Sequence, residues 1–340
     1  MDDPLPLDTS EVYALQTKLL GWYDQHHRDL PWRVDRDPYR VWVSEVMLQQ
    51  TRVAAVLDHY ARWMRKFPTV QTLAASREGS VLAAWSGLGY YHRARRIHQA
   101  ARLIVHMRDG QFPQSAEQWQ SLPGIGRYTA AAVASIVLGE AVAVVDGNVE
   151  RVLTRMFGST ETKGAIWHRA EALLSPRRPG DFNQAMMELG ATTCTPRAPR
   201  CLLCPLLPWC ETRGDASRKP ATARKRREIH YAFAQRGDSV LLVQRAPDAS
   251  LMAGMWELPL LSDEARNGAA TLARFRHSIT DTNYAISVSK VSAKQLRGIG
   301  IGARWASRRQ WKHLPLTGLA RKILWRLMPE AQHVRRERSD

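Results

Sequence analysis

Four cysteines, Cys194, Cys201, Cys204 and Cys210, are all the chain contains, and they fall within 17 of its 340 positions as C-x6-C-x2-C-x5-C. Such crowding points to one site built from four ligands. Four thiolates suit Zn(II) or an iron–sulfur cluster. Zinc ribbons usually pair two C-x2-C knuckles, and here only Cys201 and Cys204 form one. The spacing therefore favours an iron–sulfur cluster and leaves zinc open. Disulfides are a poorer fit. The start, Met1-Asp2-Asp3-Pro4, resembles no export or transit segment, and cytosolic thiols stay reduced. Chance clustering of buried cysteines is the remaining alternative.

The net charge is +17, and arginines and lysines recur along the whole chain rather than in one tail. That excess points to a polyanionic partner, most often nucleic acid; a merely basic soluble surface is the alternative. No run approaches the roughly 18–20 apolar residues of a membrane span. A monomer without membrane attachment is expected, cytoplasmic and, in a bacterium, nucleoid-associated.

At 340 residues two domains are expected. Residues 9–212 read as mainly helical. Val12, Leu15, Leu19 and Trp22 recur at helical spacing, as do Ile97, Ala101, Ile104 and Val105. Residues 213–228 are poor in large apolar side chains and rich in arginine and lysine, so they read as a basic linker. From residue 229 to 328 the pattern turns α/β. Ile229–Phe233 and Val240–Val243 are strand-like around a Gly237-Asp238 turn, Tyr284–Val288 is a further strand, and Thr317–Leu327 is helical. Residues 329–340 form a charged tail.

Three motifs carry chemistry. Asp37-Pro38 is a helix start, and in the helix that follows Glu45 is the sole charged residue from Val41 to Gln50. A helix apolar nearly all round is buried, and a buried carboxyl has a raised pKa, as a general acid needs. A glutamate paired with a buried arginine, or capping a neighbouring helix, is equally compatible. Next, Leu122-Pro123-Gly124-Ile125-Gly126-Arg127 precedes an Ala/Val/Ile-rich helix. Gly124 and Gly126 let backbone N–H groups approach an anion, as in a helix–hairpin–helix grip on a DNA backbone; a tight interhelical turn is the plainer reading. Lastly Asp146, twenty residues after Gly126, reads as a helix N-cap or as a second catalytic carboxylate. Together Glu45 and Asp146 suit N-glycosidic cleavage, one protonating the leaving group and the other stabilising the sugar cation.

These motifs, in this order, resemble the endonuclease III superfamily of DNA glycosylases. Trp42-Val43-Ser44-Glu45-Val46-Met47-Leu48-Gln49-Gln50-Thr51 and Val145-Asp146-Gly147-Asn148-Val149 are similar to the MutY adenine glycosylases. The resemblance implies a helix–hairpin–helix glycosylase with a [4Fe–4S] loop and a Nudix-like C-terminal domain. It implies removal of adenine mispaired with 8-oxoguanine or guanine in double-stranded DNA, with the base everted. Glu45 would protonate adenine, Asp146 would stabilise the sugar cation, and Tyr128 and Asn148 would order the site. Bifunctional relatives carry a Schiff-base lysine where this chain has Tyr128, so base removal without lyase chemistry is implied. Gln50 and Tyr90 match positions that wedge into the duplex, while Arg33, Leu48, Thr51 and Leu88 match residues near the lesion strand. Arg197 and Arg200 of the cysteine loop would meet phosphates.

In the C-terminal region, Leu241–Arg245 and Gly254–Pro259 carry the likeness. No glutamate-rich Nudix helix follows, so nucleotide hydrolysis is not expected. The family's Phe-Ser-His lesion-reading segment aligns with Phe275–Asp281, where Thr280 supplies a hydroxyl but the His is missing. A bifunctional glycosylase for oxidised pyrimidines and a non-enzymatic damage sensor are the competing classes.

Overall fold

The computed structural model describes residues 6–158, 162–214, 225–249, 251–262, 269–279, 282–296 and 302–329. The chain divides into two compact units, Met1–Ala75 with Arg96–Pro220 and Ser76–Arg95 with Ala221–Asp340.

The first unit is helical. Its elements begin with α1 (Thr9–His26), α2 (Pro38–Leu48), α3 (Val53–Lys66) and α4 (Val70–Ala74). After α5 (Glu78–Trp85), which lies in the second unit, come α6 (His92–Met107), α7 (Ala116–Gln120), α8 (Arg127–Val133), α9 (Gly147–Phe157), α10 (Lys163–Leu173) and α11 (Pro179–Thr192). Asp8 opens α1 with a capping box: its side chain accepts from the Glu11 N–H, and the Glu11 carboxylate accepts from the Asp8 N–H. Leu15 and Leu19 of α1 then bury against Val152 and Leu153 of α9, Leu173 of α10, and Phe182 and Leu189 of α11. Each such side chain contributes roughly 2 kcal/mol of apolar burial. Cys194, Cys204 and Trp209 pack on the same core, so the cysteine loop is fastened to the helices that carry Asp146 and Asn148.

The second unit is α/β. Its strands are β1 (Lys225–Phe233), β2 (Gln235–Arg236), β3 (Ser239–Gln244), β4 (Trp256–Glu257), β5 (Thr271–Ile279), β6 (Thr282–Lys290) and β7 (Ala303–Ser307), followed by α12 (Arg308–Trp311) and α13 (Gly318–Leu327). One sheet has the order β1-β6-β5, with β1 parallel and β5 antiparallel to β6. The other centres on β3, which pairs β7 on one edge and β2 and β4 on the other. Tyr231, Phe233, Leu242, Ile286, Val288, Ile323 and Leu324 form its core.

Two boundaries differ from the sequence reading. β1 begins at Lys225, inside the stretch read as linker, because Lys225–Glu228 pair with Thr282–Ala285 and expose their charged side chains. Ser76–Arg95, read as part of the helical domain, packs in the second unit. There Ser86 Oγ and Tyr91 Oη both donate to the Leu316 carbonyl, at 2.9 and 3.2 Å, and Arg95 bonds Glu78 and the Ala253 carbonyl. Residues 215–224 and 330–340, the bulk of the expected linker and tail, lie outside the described residues.

Candidate active site

Asp37 caps α2 by accepting from the Arg40 N–H at 2.8 Å, and Pro38 takes the first helical position. Tyr39 to Met47 are buried except Arg40, and Glu45 among them is only 5% exposed. The Tyr128 phenol, in the first turn of α8, donates to Glu45 Oε2 at 2.8 Å. Burial pushes the Glu45 carboxyl up to about 7, and the nearby Asp146 charge adds to this. The Tyr128 bond and Arg33 pull the other way without cancelling it. Tyr128 itself is pushed well above its ordinary value, chiefly by burial and then by the Glu45 and Asp146 charges, so it remains a donor.

The turn before α8 sets that geometry. Gly124 sits at φ +80°, and a Cβ there would come within 2.6 Å of Arg96 Cβ and Cδ, so the turn closes onto the Arg96 methylenes only with glycine. Gly126 opens α8 without a side-chain cap. Beyond α8, Ala134–Leu138 widens into a π turn, a distortion frequent at functional sites, and its Ile136 reaches the same cavity as Tyr128.

Asp146 is the N-cap of α9. Its Oδ1 accepts from the Asn148 and Val149 N–H groups at 2.9 and 2.8 Å, and its Oδ2 accepts from the Asn148 amide at 2.8 Å. It also lines the cavity. The capping and catalytic readings are thus compatible, since the bonds that cap the helix also fix the carboxylate. Arg151 donates to Asn148 Oδ1 at 2.9 Å, which turns the Asn148 NH2 toward Asp146. The same guanidinium donates to the carbonyls of Gly190 at 2.6 Å and Cys194 at 2.8 Å. Gly190 makes this approach possible: a Cβ there would stand 2.6 Å from Asn148 Cβ.

Glu45, Tyr128, Asp146 and Asn148 thus line one cavity of about 510 Å3, together with Arg33, Leu48, Gln50, Thr51 and Gly126 of the expected DNA-contacting set. Gly124 is not in its lining and serves the turn. Leu88 and Tyr90 belong to the second unit. Leu88 is buried; Tyr90 is partly exposed at φ +48°, with the Arg93 guanidinium 5.4 Å from its ring centroid. Gln50 is likewise left-handed, at φ +54°. Thr280 lies outside the described residues.

Sequence reasoning missed Glu188 of α11, which is 1% exposed and lines the cavity. Arg28 grips it with bonds of 2.6 and 2.9 Å, and Arg33 adds one of 2.9 Å. Burial alone would raise this carboxyl, but the bonds and charges of Arg28 and Arg33 outweigh it and hold it below the usual range. The signal was present: Glu188 stands among Met186, Met187 and Leu189, a lone acid in an apolar stretch, as Glu45 is. Two buried glutamates in one cavity are therefore tilted in opposite directions.

The four cysteines converge. Burial pushes the Cys204 thiol up to about 11, with contributions from Cys194, Cys210 and Cys201. Arg155 of α9 donates to Cys194 Sγ at 3.3 Å, and the Cys210 thiol donates to the Arg155 carbonyl at 3.4 Å. Among the described residues no group of three or more His, Cys, Asp or Glu stands in metal-holding geometry. The donor set, four thiols with an arginine beside one of them, fits a group that takes four thiolates.

Residues 43–176 match the family model of the HhH-GPD superfamily base excision DNA repair protein. The solved structure of a thermostable thymine-DNA glycosylase is similar, with TM-score 0.56, 28% identity, and coverage of 59% of this chain and 96% of that one. A non-covalent endonuclease III–DNA complex, at 22% identity and TM-score 0.53, covers 61% of this chain and 97% of its own and shares the fold. An adenine DNA glycosylase of Mycobacterium tuberculosis is 39% identical over 276 residues, 78% of this chain and 90% of that protein. That of Mus musculus is 43% identical over 321 residues, 76% of this chain and 62% of that protein. The chain belongs to the adenine DNA glycosylase family. It spans about six-tenths of the length of its mammalian relatives.

Proposed function

We propose that this protein is a monofunctional glycosylase that hydrolyses the N-glycosidic bond of adenine mispaired with 8-oxoguanine or guanine in duplex DNA. The observation that carries the reading is a buried Glu45, its carboxyl near 7 and bonded to Tyr128, in one cavity with Asp146. Glu45 hands its proton to N7 of the everted adenine. The C1′–N9 bond breaks, its electron pair leaves with the base, and the Asp146 carboxylate stabilises the sugar cation. Water then adds at C1′, and the proton it releases restores Glu45. Asn148 and Arg151 hold Asp146 in place, and Tyr128 orients Glu45. Tyr128 cannot form an imine, and no lysine lines the cavity among the described residues.

Gln50 and Tyr90 wedge into the duplex, their left-handed backbones being the kind of strain that functional positions retain. Arg33, Leu48, Thr51 and Leu88 lie along the lesion strand, the hairpin of Gly124 and Gly126 grips backbone phosphate, and Thr280 reads the lesion base from a Nudix-like domain. Cys194, Cys201, Cys204 and Cys210 hold a [4Fe–4S] cluster. When bound, the cluster supplies a rigid crosslink for a loop whose Arg197 and Arg200 face phosphate, and no electron in base removal. The enzyme acts as a monomer in the cytoplasm and, in a bacterium, at the nucleoid.

The test is base release from duplexes carrying adenine opposite 8-oxoguanine, guanine, cytosine or thymine, followed by alkali. Strand breaks only after alkali, and only for the first two duplexes, are expected. Breaks without alkali, with robust borohydride trapping, would sink the monofunctional reading.

A further inference from the structure

Beyond the hairpin and the cavity, the second unit carries a basic trough on the face of the β1-β6-β5 sheet opposite Phe275, Ile286 and Val288; a small core of Ala232, Ala234, Leu261 and Val291 covers the other end of that face. β6 is the middle strand, and its residues on this face are small: Ala285, Ser287 and Ser289. Longer side chains rise on the flanking strands, Glu228 and His230 from β1 and Arg274 and Arg276 from β5. The result is a hollow of about 690 Å3. It shares Glu228, Arg276 and Ala285 with a second hollow of about 670 Å3 that adds Arg226, Arg227 and Asn283. The walls stand two strand spacings apart, about 9.6 Å. Parallel strand pairs are ordinarily covered on both faces; here Ser289 and its partner Ala232 are covered, while Ala285 is exposed and Ser287 half-buried, so among the described residues the trough opens at the Ala285 end.

We propose that this trough holds the sugar–phosphate backbone of a DNA strand, with Arg274 and Arg276 as its phosphate contacts. The charge fits. Arg226, Arg274 and Arg276 share this face with one carboxylate, Glu228, which lies 3.7 Å from His230 Nε2 of its own strand. Neither Arg274 nor Arg276 is in an ion pair among the described residues, and both are exposed. The spacing fits as well. Antiparallel strands rise about 3.4 Å per residue, so Arg274 and Arg276 stand about 6.8 Å apart along β5, room for each to take its own phosphate. His230 Nδ1 and Ser287 Oγ lie 2.5 Å apart, which anchors a hydroxyl on the floor. This inference deepens the reading of the protein as a DNA-binding enzyme and rests on it.

The experiment measures affinity of the full chain for a fully paired 30-base-pair duplex by fluorescence anisotropy between 50 and 200 mM salt. The Arg274→Ser/Arg276→Ser double variant is expected to flatten the slope of log K against log salt by about 1.8, two phosphate contacts' worth. The Arg→Lys double variant should restore most of that slope. Ala285→Trp, which fills the trough and leaves the charges, should weaken binding about as much as the serine variant. If the parent binds duplex but the serine or tryptophan variant leaves the slope and affinity untouched, the trough is not a DNA track. An equal loss in an Arg309→Ser control would reduce the effect to general charge and overturn the proposal. Displacement of the duplex by millimolar dGMP in the parent but not in the double variant would assign the trough to a free nucleotide instead. A parent that binds no DNA would sink the function proposed above rather than this site alone.

Discussion

At the scale of single residues, the cavity turns on two glutamates placed alike in sequence and treated oppositely by their surroundings. Glu45 has a phenol as its hydrogen-bonding neighbour and stays protonable near neutrality; Glu188 is clamped by two guanidiniums and does not. Base release should therefore be level below about pH 6 and fall roughly tenfold per unit above about 7, as Glu45 loses its proton. Glu45→Gln should lower single-turnover release at least about 100-fold. The same substitution should stabilise the fold, but only at high pH. The folded carboxyl titrates near 7 against 4.5 in the ordinary state, so the stability Glu45 confers when protonated is whole below about 4.5 and lost as pH rises through 7. At 1.36 kcal/mol per unit the loss approaches about 3 kcal/mol, so thermal melts of the variant should exceed the parent's at pH 8 and match it at pH 5. Tyr128→Phe removes a bond that favours the ionised form. The alkaline limb of its pH–rate profile should move up while the plateau rate falls several-fold; a limb that moved down would contradict this role.

At the scale of elements, α2 was the part most legible in advance. Its cap, its proline and its nearly unbroken apolar run all sit within the twelve residues from Asp37 to Leu48, and the helix forms as Pro38–Leu48. Asp146 was legible as a cap and as a carboxylate, but not its coupling to the cysteine loop. Arg151 and Gly190 make that link, and they are 39 positions apart, so no local pattern announces it. Glu188 was missed because its partners, Arg28 and Arg33, lie 160 and 155 positions away. β1 was begun too late because its first four residues are charged, and only pairing with β6 makes them a strand. The Gly190 contact carries its own test. Gly190→Ala would press Asn148 aside, with the backbone oxygen of Asn148 3.0 Å from the new methyl. Base release should drop about tenfold or more with duplex affinity nearly unchanged, since a displacement of about 1 Å at a reacting centre costs that much or more.

At the scale of the whole molecule, the net charge of +17 suits the DNA partner proposed above, and duplex affinity should fall steeply between 50 and 200 mM salt. The cysteine loop is a second global lever, because its residues pack on the core shared by α1, α9, α10 and α11. Cys204→Ala should abolish the visible iron–sulfur absorbance and lower the melting temperature. Base release should fall with it through loss of folded protein rather than through any redox step; a colourless variant of full stability and activity would refute a structural cluster. The division of the chain has a practical consequence of its own. Because Ser76–Arg95 packs with the C-terminal sheets, a gene clipped near residue 220 would strip that segment of its partners. Ser86 and Tyr91 would lose the Leu316 carbonyl, and expression of the N-terminal piece would leave an unmatched strip, prone to self-association, that co-expression of the missing half should cure.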